Sequence, residues 1–77
     1  MDYMQLAQHL SKKYSSRLSI QIMKDLCKSS IKELITNINN LDYLKELNNS
    51  IRNDLADTRT KYIRKLVNSK INKLRVS

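Results

Sequence analysis

Seven basic side chains follow one another near the end of the chain with no acidic residue among them: Arg59, Lys61, Arg64, Lys65, Lys70, Lys73 and Arg75. The chemistry such a run supports is phosphate neutralisation, in which each cation that meets a backbone phosphate releases a condensed counterion. The net charge of +8 is concentrated there, because residues Met1 to Thr58 carry eight Lys/Arg against seven Asp/Glu. Cations near a helix C-terminus are favoured by the dipole by about 0.3–1 kcal/mol, and only in the last turn. Seven spread over five turns exceed what capping requires.

No other constellation in the chain has the composition of a reaction centre. A Gly-rich phosphate loop is excluded because the sequence has no Gly. Cys27 and His9 are the only residues of their kinds, so a four-ligand structural zinc site cannot be built. The carboxylates Asp25, Glu33, Asp42, Glu46, Asp54 and Asp57 are spread over the surfaces of helices, with Asp57 and Lys61 at the spacing of an ordinary i,i+4 pair. Nucleophile, triad and metal templates all lack members. The expectation is a non-enzymatic protein with no metal, cofactor or small-molecule substrate. Cys27 falls within an apolar band, where a buried structural thiol is expected. His9 lies off the apolar stripe of its segment, as a solvated surface residue does.

The cations must be positioned by helices, since apolar residues recur at steps of three and four and strand alternation is absent. Helix 1 is expected over about Asp2–Lys13, with Tyr3, Leu6, Ala7, Leu10 and Tyr14 on one face. Ser15 to Ser19 forms a break, because serines compete for backbone hydrogen bonds, and Ser19 is the expected cap of the next helix. Helix 2 is expected over about Ile20–Ile38, with Ile22, Met23, Leu26, Cys27, Ile31, Leu34, Ile35 and Ile38 on its apolar face. Asn37 to Asn40 forms a second break, with Asn40 or Asp42 as the cap of the third helix. Helix 3 is expected to run unbroken from Asp42 to Ser77, about 50 Å. Its stripe of Leu44, Leu47, Ile51, Leu55, Tyr62 and Leu66 widens from Tyr62 onward with Ile63, Val67, Ile71 and Leu74. The short connection implies an antiparallel hairpin of helices 2 and 3.

The fold class is therefore all-α, a three-helix arrangement in one domain covering residues 1–77. A chain of 77 residues buries only about 60 % of its unfolded surface, so packing by oligomerisation or a partner is expected to complete the core. Without a disulfide framework, a signal segment or an apolar run long enough for a bilayer, the chain is expected to be intracellular, in the cytoplasm or a nucleus, and away from membranes. On a helical wheel, Lys61, Arg64, Lys65 and Arg75 lie opposite the apolar rows. Arg59, Lys70 and Lys73 lie within or beside them. Cations at such a seam must snorkel or pair with carboxylates, which points to an interface there.

The closing stretch Tyr62–Ser77, YIRKLVNSKINKLRVS, resembles the end of the long helix in the helical domain of GINS subunits. These subunits form the complex that joins the replicative helicase of archaea and eukaryotes. That helix closes with an apolar pair, a basic residue, an Ile or Leu, a variable residue, a Lys and another apolar residue. Here those are Leu66-Val67, Lys70, Ile71, Asn72, Lys73 and Leu74. Upstream, Leu18-Ser19, Met23-Lys24-Asp25-Leu26 and Ile31-Lys32-Glu33-Leu34-Ile35 occupy the place of the family's middle helix, without the aromatic residue often found there. GINS subunits also carry a small β domain, and this chain has no strand-like stretch, so the resemblance covers the helical domain alone. It implies a non-catalytic scaffold in DNA replication, assembled from sister subunits and lying between the helicase and a RecJ-like partner.

The sequence supports two readings. In the scaffold reading, Tyr62, Ile63, Leu66, Val67, Lys70, Ile71, Lys73 and Leu74 form a subunit interface. In the alternative, a small basic homodimer binds DNA non-specifically, with Arg59, Lys61, Arg64, Lys65 and Arg75 as the candidate nucleic-acid contacts. Readout of base sequence is not expected, because no helix-turn-helix turn is recognisable and Tyr62 is the only aromatic in the basic run.

Overall fold

The computed structural model describes residues 3–51 and 57–76, and every regular element within them is a helix. Five helices occur in order: α1 (Tyr3–Lys13), α2 (Ser16–Lys24), α3 (Lys28–Thr36), α4 (Leu41–Ile51) and α5 (Thr58–Val76). The expected three-helix arrangement is corrected by two additional breaks. The expected helix 2 divides at Asp25–Cys27, and the expected helix 3 divides between Ile51 and Thr58. Its stripe residue Leu55 and the cap expected at Asp2 lie outside the described residues.

Local chemistry accounts for most of the boundaries. Ser15, in an extended conformation, caps α2 by accepting a hydrogen bond from the Leu18 amide at 3.3 Å. Ser19, the cap expected from sequence, lies inside α2 and is fully buried. Asn40 caps α4, its Oδ1 accepting from the Tyr43 amide at 3.1 Å. Asp57 does the same for α5, with the Arg59 amide donating to its Oδ1 at 2.9 Å. The carboxylate of Asp57 also meets the Lys24 ammonium at 2.7 Å, so its ion-pair partner is Lys24 of α2 and not Lys61. The Lys24 hydrogen bond and then the Arg59 amide hold its pKa below the ordinary carboxylate value.

A helix of about 50 Å would not fit a molecule whose principal extents are 30 × 29 × 22 Å. Instead, α4 and α5 pack against each other, and α5 also packs on α3 and α2. The α2 helix lies against α4, and α1 lies against α3. The helical pair with the most extensive packing is α4 with α5, and the antiparallel contact expected of helices 2 and 3 is kept where α2 lies on α4, Ser16 meeting Ser50 and Ser19 meeting Tyr43.

The core gathers from all five helices. Leu10, Met23, Ile31, Leu34, Leu44, Leu47, Ile63 and Val67 are completely buried, and Ile35, Ile38, Ile51 and Ile71 nearly so. Burying side chains of this size contributes roughly 1.5–3 kcal/mol each. Hydroxyl pairs join helices at the core's edge. Ser19 of α2 bonds the Tyr43 hydroxyl of α4, Ser16 bonds Ser50 at 2.7 Å, and Tyr3 of α1 bonds Ser30 of α3 at 2.6 Å. Burial pushes the Tyr43 phenol above its ordinary pKa, the Ser19 hydrogen bond opposing that shift.

Three residues assigned from sequence to a subunit interface, Ile63, Val67 and Ile71, belong to this intramolecular core. They are spent within the chain because α5 lies between α3 and α4 and must cover both. Tyr62, Leu66 and Leu74 are half-buried against the core's margin.

Candidate nucleic-acid interface

The cations of α5 divide by what their helical positions place them against. The buried line Thr60, Ile63, Val67 and Ile71 faces inward. At 100° per residue, Arg59, Tyr62, Leu66, Lys70 and Lys73 fall on one flank of it, and Arg64 and Arg75 on the other, with Lys61 and Lys65 farther round. Lys61, Lys65, Lys73 and Arg75 are exposed, and Arg64 is half-buried with its Nε enclosed and unpartnered among the described residues.

The flank that carries Arg59 lies along α3. Arg59 donates through Nη1 to the carbonyls of Lys24 at 2.7 Å and Leu26 at 2.6 Å. The Tyr62 hydroxyl donates to the Lys28 carbonyl at 3.4 Å, while the Lys28 ammonium stands 5.5 Å from the centre of the Tyr62 ring. Farther along, Lys70 Nζ donates to the Thr36 carbonyl at 2.7 Å. Both numberings rise together along this seam, so α3 and α5 run parallel.

These contacts correct the expectation that seam cations pair with carboxylates. The last carbonyls of a helix have no intrahelical donor and carry the negative end of its dipole. Arg59 closes the end of α2 and Lys70 closes the end of α3, so neither helix needs a Gly cap. The sequence holds a usable signal for this in two cations eleven residues apart, three helical turns on one flank.

Beside Lys70 a groove of about 190 Å³ opens between α3 and α5, lined by Lys32, Thr36, Leu66, Ser69, Lys70 and Lys73 together with Ile35. Three ammonium groups share it, and the Lys28–Tyr62 contact lies one turn back along the same flank. Among the described residues, no carboxylate lines it. The α3 side of this cluster, Lys28 and Lys32, is not among the contacts expected from sequence, which all lie on the closing helix. The basic set expected to meet nucleic acid is therefore brought together only in part. Arg59 is engaged with α2, the groove cations are Lys32, Lys70 and Lys73, and Lys28 stands over Tyr62 one turn back.

Cys27 departs furthest from its expected place. It is exposed at the N-cap of α3 and not buried, because the helix expected to contain it is interrupted there. Its sulfur lies 3.4 Å from the Ser29 hydroxyl and 3.1 Å from that of Ser30. Hydrogen bonds from these serines lower the thiol pKa from 9.0 to about 7. His9 is on the surface as expected, its ring edge-on to Tyr14 at 5.2 Å.

Among the described residues, no group of three or more His, Cys, Asp or Glu side chains is placed to hold a metal ion, and no helix is long and apolar enough to cross a membrane. No family model matches the chain, and no curated protein or solved structure matches it.

Proposed function

We propose that this chain is a non-catalytic module that binds the phosphate backbone of duplex DNA without reading its sequence. The observation that supports this reading is the α3–α5 groove, where Lys32, Lys70 and Lys73 converge with no carboxylate among the described residues of the lining. An ordinary soluble surface intersperses both signs of charge. Here Lys28 and Lys32 of one helix precede Lys70 and Lys73 of a parallel one along a single seam, a basic track suited to a polyanion. Helix dipoles do not oppose this use, because the C-terminal carbonyls nearest the groove are already met by Lys70.

Neutralising about three to four phosphates gives a slope of log K against log salt of roughly −3 to −4. Titration of random-sequence duplex at several salt concentrations measures it. Replacing Lys32 and Lys73 together with Gln is expected to reduce the magnitude of the slope by about 2. An affinity that is the same at low and high salt, or a slope untouched by the double variant, would count decisively against this reading.

A helical scaffold in a GINS-type replication assembly, carried by sister subunits, is the second reading. It is favoured by the half-buried row Tyr62, Leu66 and Leu74 on α5, which lies at the core's margin. Light scattering tests it: the scaffold reading requires association, and a chain that stays monomeric at high concentration argues against it.

A further inference from the structure

A second cleft, of about 600 Å³, lies between α2, α4 and α5, away from the lysine groove. Its size falls within the roughly 300–1,000 Å³ typical of small-molecule sites. Arg17 and Lys24 supply positive charge, Gln21 and Asn49 supply amides, and Ile20 and Ile51 supply apolar wall. Among the described residues, no carboxylate lines it. Lys24 is shared with Asp57, which it neutralises at 2.7 Å, so Arg17 is the principal cation offered to a ligand.

An independent observation concerns Thr60, which also lines this cleft. Thr60 is 1 % exposed, and its Oγ1 has no hydrogen-bond partner among the described residues. A buried hydroxyl is normally satisfied, and an unpartnered one is costly to keep. A valine has nearly the same shape and would fill the position without that cost. Thr60 is the third residue of α5, in a first turn whose end is already capped by the Asp57 carboxylate, so the Thr60 hydroxyl and not the helix end is what the cleft offers.

We propose that this cleft binds a phosphomonoester carried on a small organic body, with Arg17 gripping the phosphate and the Thr60 hydroxyl donating to one of its oxygens. The number and type of donors favour phosphate over a carboxylate. A guanidinium, two amides and a hydroxyl exceed what a carboxylate's two oxygens require, and a guanidinium fits phosphate with two parallel bonds. The ligand's organic part lies against Ile20 and Ile51. A free nucleotide and the phosphorylated 5′ end of a strand present the same group.

The test is NMR titration of the full chain at constant ionic strength, with adenosine monophosphate as probe and adenosine as control. Saturable shifts at the Arg17 and Thr60 amides are expected with the monophosphate and none with adenosine. Arg17 is exposed, so Arg17→Gln leaves the fold intact and is expected to weaken binding at least tenfold. Thr60→Val is expected to weaken it as well, and Lys32→Gln with Lys73→Gln to leave it unchanged. Competition by a 5′-phosphorylated oligonucleotide, but not by its 5′-hydroxyl counterpart, would assign the site to strand ends. Displacement by neither would assign it to free nucleotides. The proposal is overturned if the monophosphate shifts only the α3–α5 groove, if adenosine shifts the cleft equally, or if Arg17→Gln binds as the parent does. None of these outcomes bears on the salt slope of the groove, so the two sites stand or fall separately.

Discussion

The helices α4 and α5 continue one uninterrupted apolar period in sequence, yet they have different tasks. In its 11 residues α4 buries Tyr43, Leu44, Leu47 and Ile51. The 19 residues of α5 bury Thr60, Ile63, Val67 and Ile71, and its remaining length carries half-buried apolar groups and cations. One helix commits its apolar face to the core and exposes Asp42, Lys45, Glu46 and Asn49 on the other. The other is a core element along one line and a source of charge for its neighbours along its flanks. Continuous apolar period therefore specifies that residues are helical and amphipathic, but not that they belong to a single helix.

Truncating one buried side chain in each helix has the largest expected effect. Leu47→Ala in α4 and Ile63→Ala in α5 are both expected to cost about 2–5 kcal/mol, because each removes a completely buried aliphatic group. Urea denaturation of the two variants measures this directly. Had α5 presented Ile63 to a partner subunit, its truncation would leave the isolated chain's stability nearly intact. A loss at Ile63 below about 0.5 kcal/mol, the ordinary scale of a surface change, would restore that picture.

A smaller effect separates the cations of α5 from one another. Arg59→Ala removes both donors to the end of α2, and Lys70→Ala removes the donor to the end of α3. Each is expected to destabilise by about 0.5–1.5 kcal/mol, toward the lower end because water replaces the lost donor at these exposed carbonyls. Lys73→Ala is expected to remain within about 0.5 kcal/mol of the parent. Thermal melts at matched ionic strength give the order, and equal losses at all three positions would mean that the contacts with helix ends contribute nothing particular.

How far these features are legible in the sequence depends on whether the signal is periodic or positional. Helical class, helix 1 and the apolar faces are legible, because each rests on many residues acting together. Ser15 and Asn40 mark breaks because small polar residues cluster there. The same chemistry is present at Asp57-Thr58, but strong apolar period on either side conceals it, and the break at Asp25–Cys27 carries no side-chain cap to read. Asp57 reads as a cap once α5 is seen to start at Thr58, and as a surface i,i+4 partner if the helix is assumed to continue. The α3–α5 groove is not legible at all. It depends on which helices become neighbours, and the contacts that fix that choice join residues more than 30 positions apart, such as Arg59 with Lys24 and Lys70 with Thr36.

Cys27 gives the finest test of the break that allows α3 to lie beside α5. At an uninterrupted helical position within the core, its thiol would be shielded and burial would raise its pKa. At the exposed N-cap, the hydroxyls of Ser29 and Ser30 favour the thiolate and bring the pKa down to about 7. The linked effect on stability has a definite sign. The folded state holds the thiol's proton less tightly than the unfolded chain, so this contribution is present above the ordinary thiol pKa and is lost as pH falls through about 7. The rate of alkylation by iodoacetamide, tracked from acid to alkaline pH, is expected to rise with a midpoint near 7. Ser29→Ala is expected to move that midpoint upward, since the Ser29 hydroxyl is the largest single cause of the shift. A parent midpoint near 9 would mean that the serine hydroxyls do not favour the thiolate, whereas a thiol that reacts only in denaturant would place Cys27 back inside a continuous helix and remove the break on which the parallel packing of α3 and α5 depends.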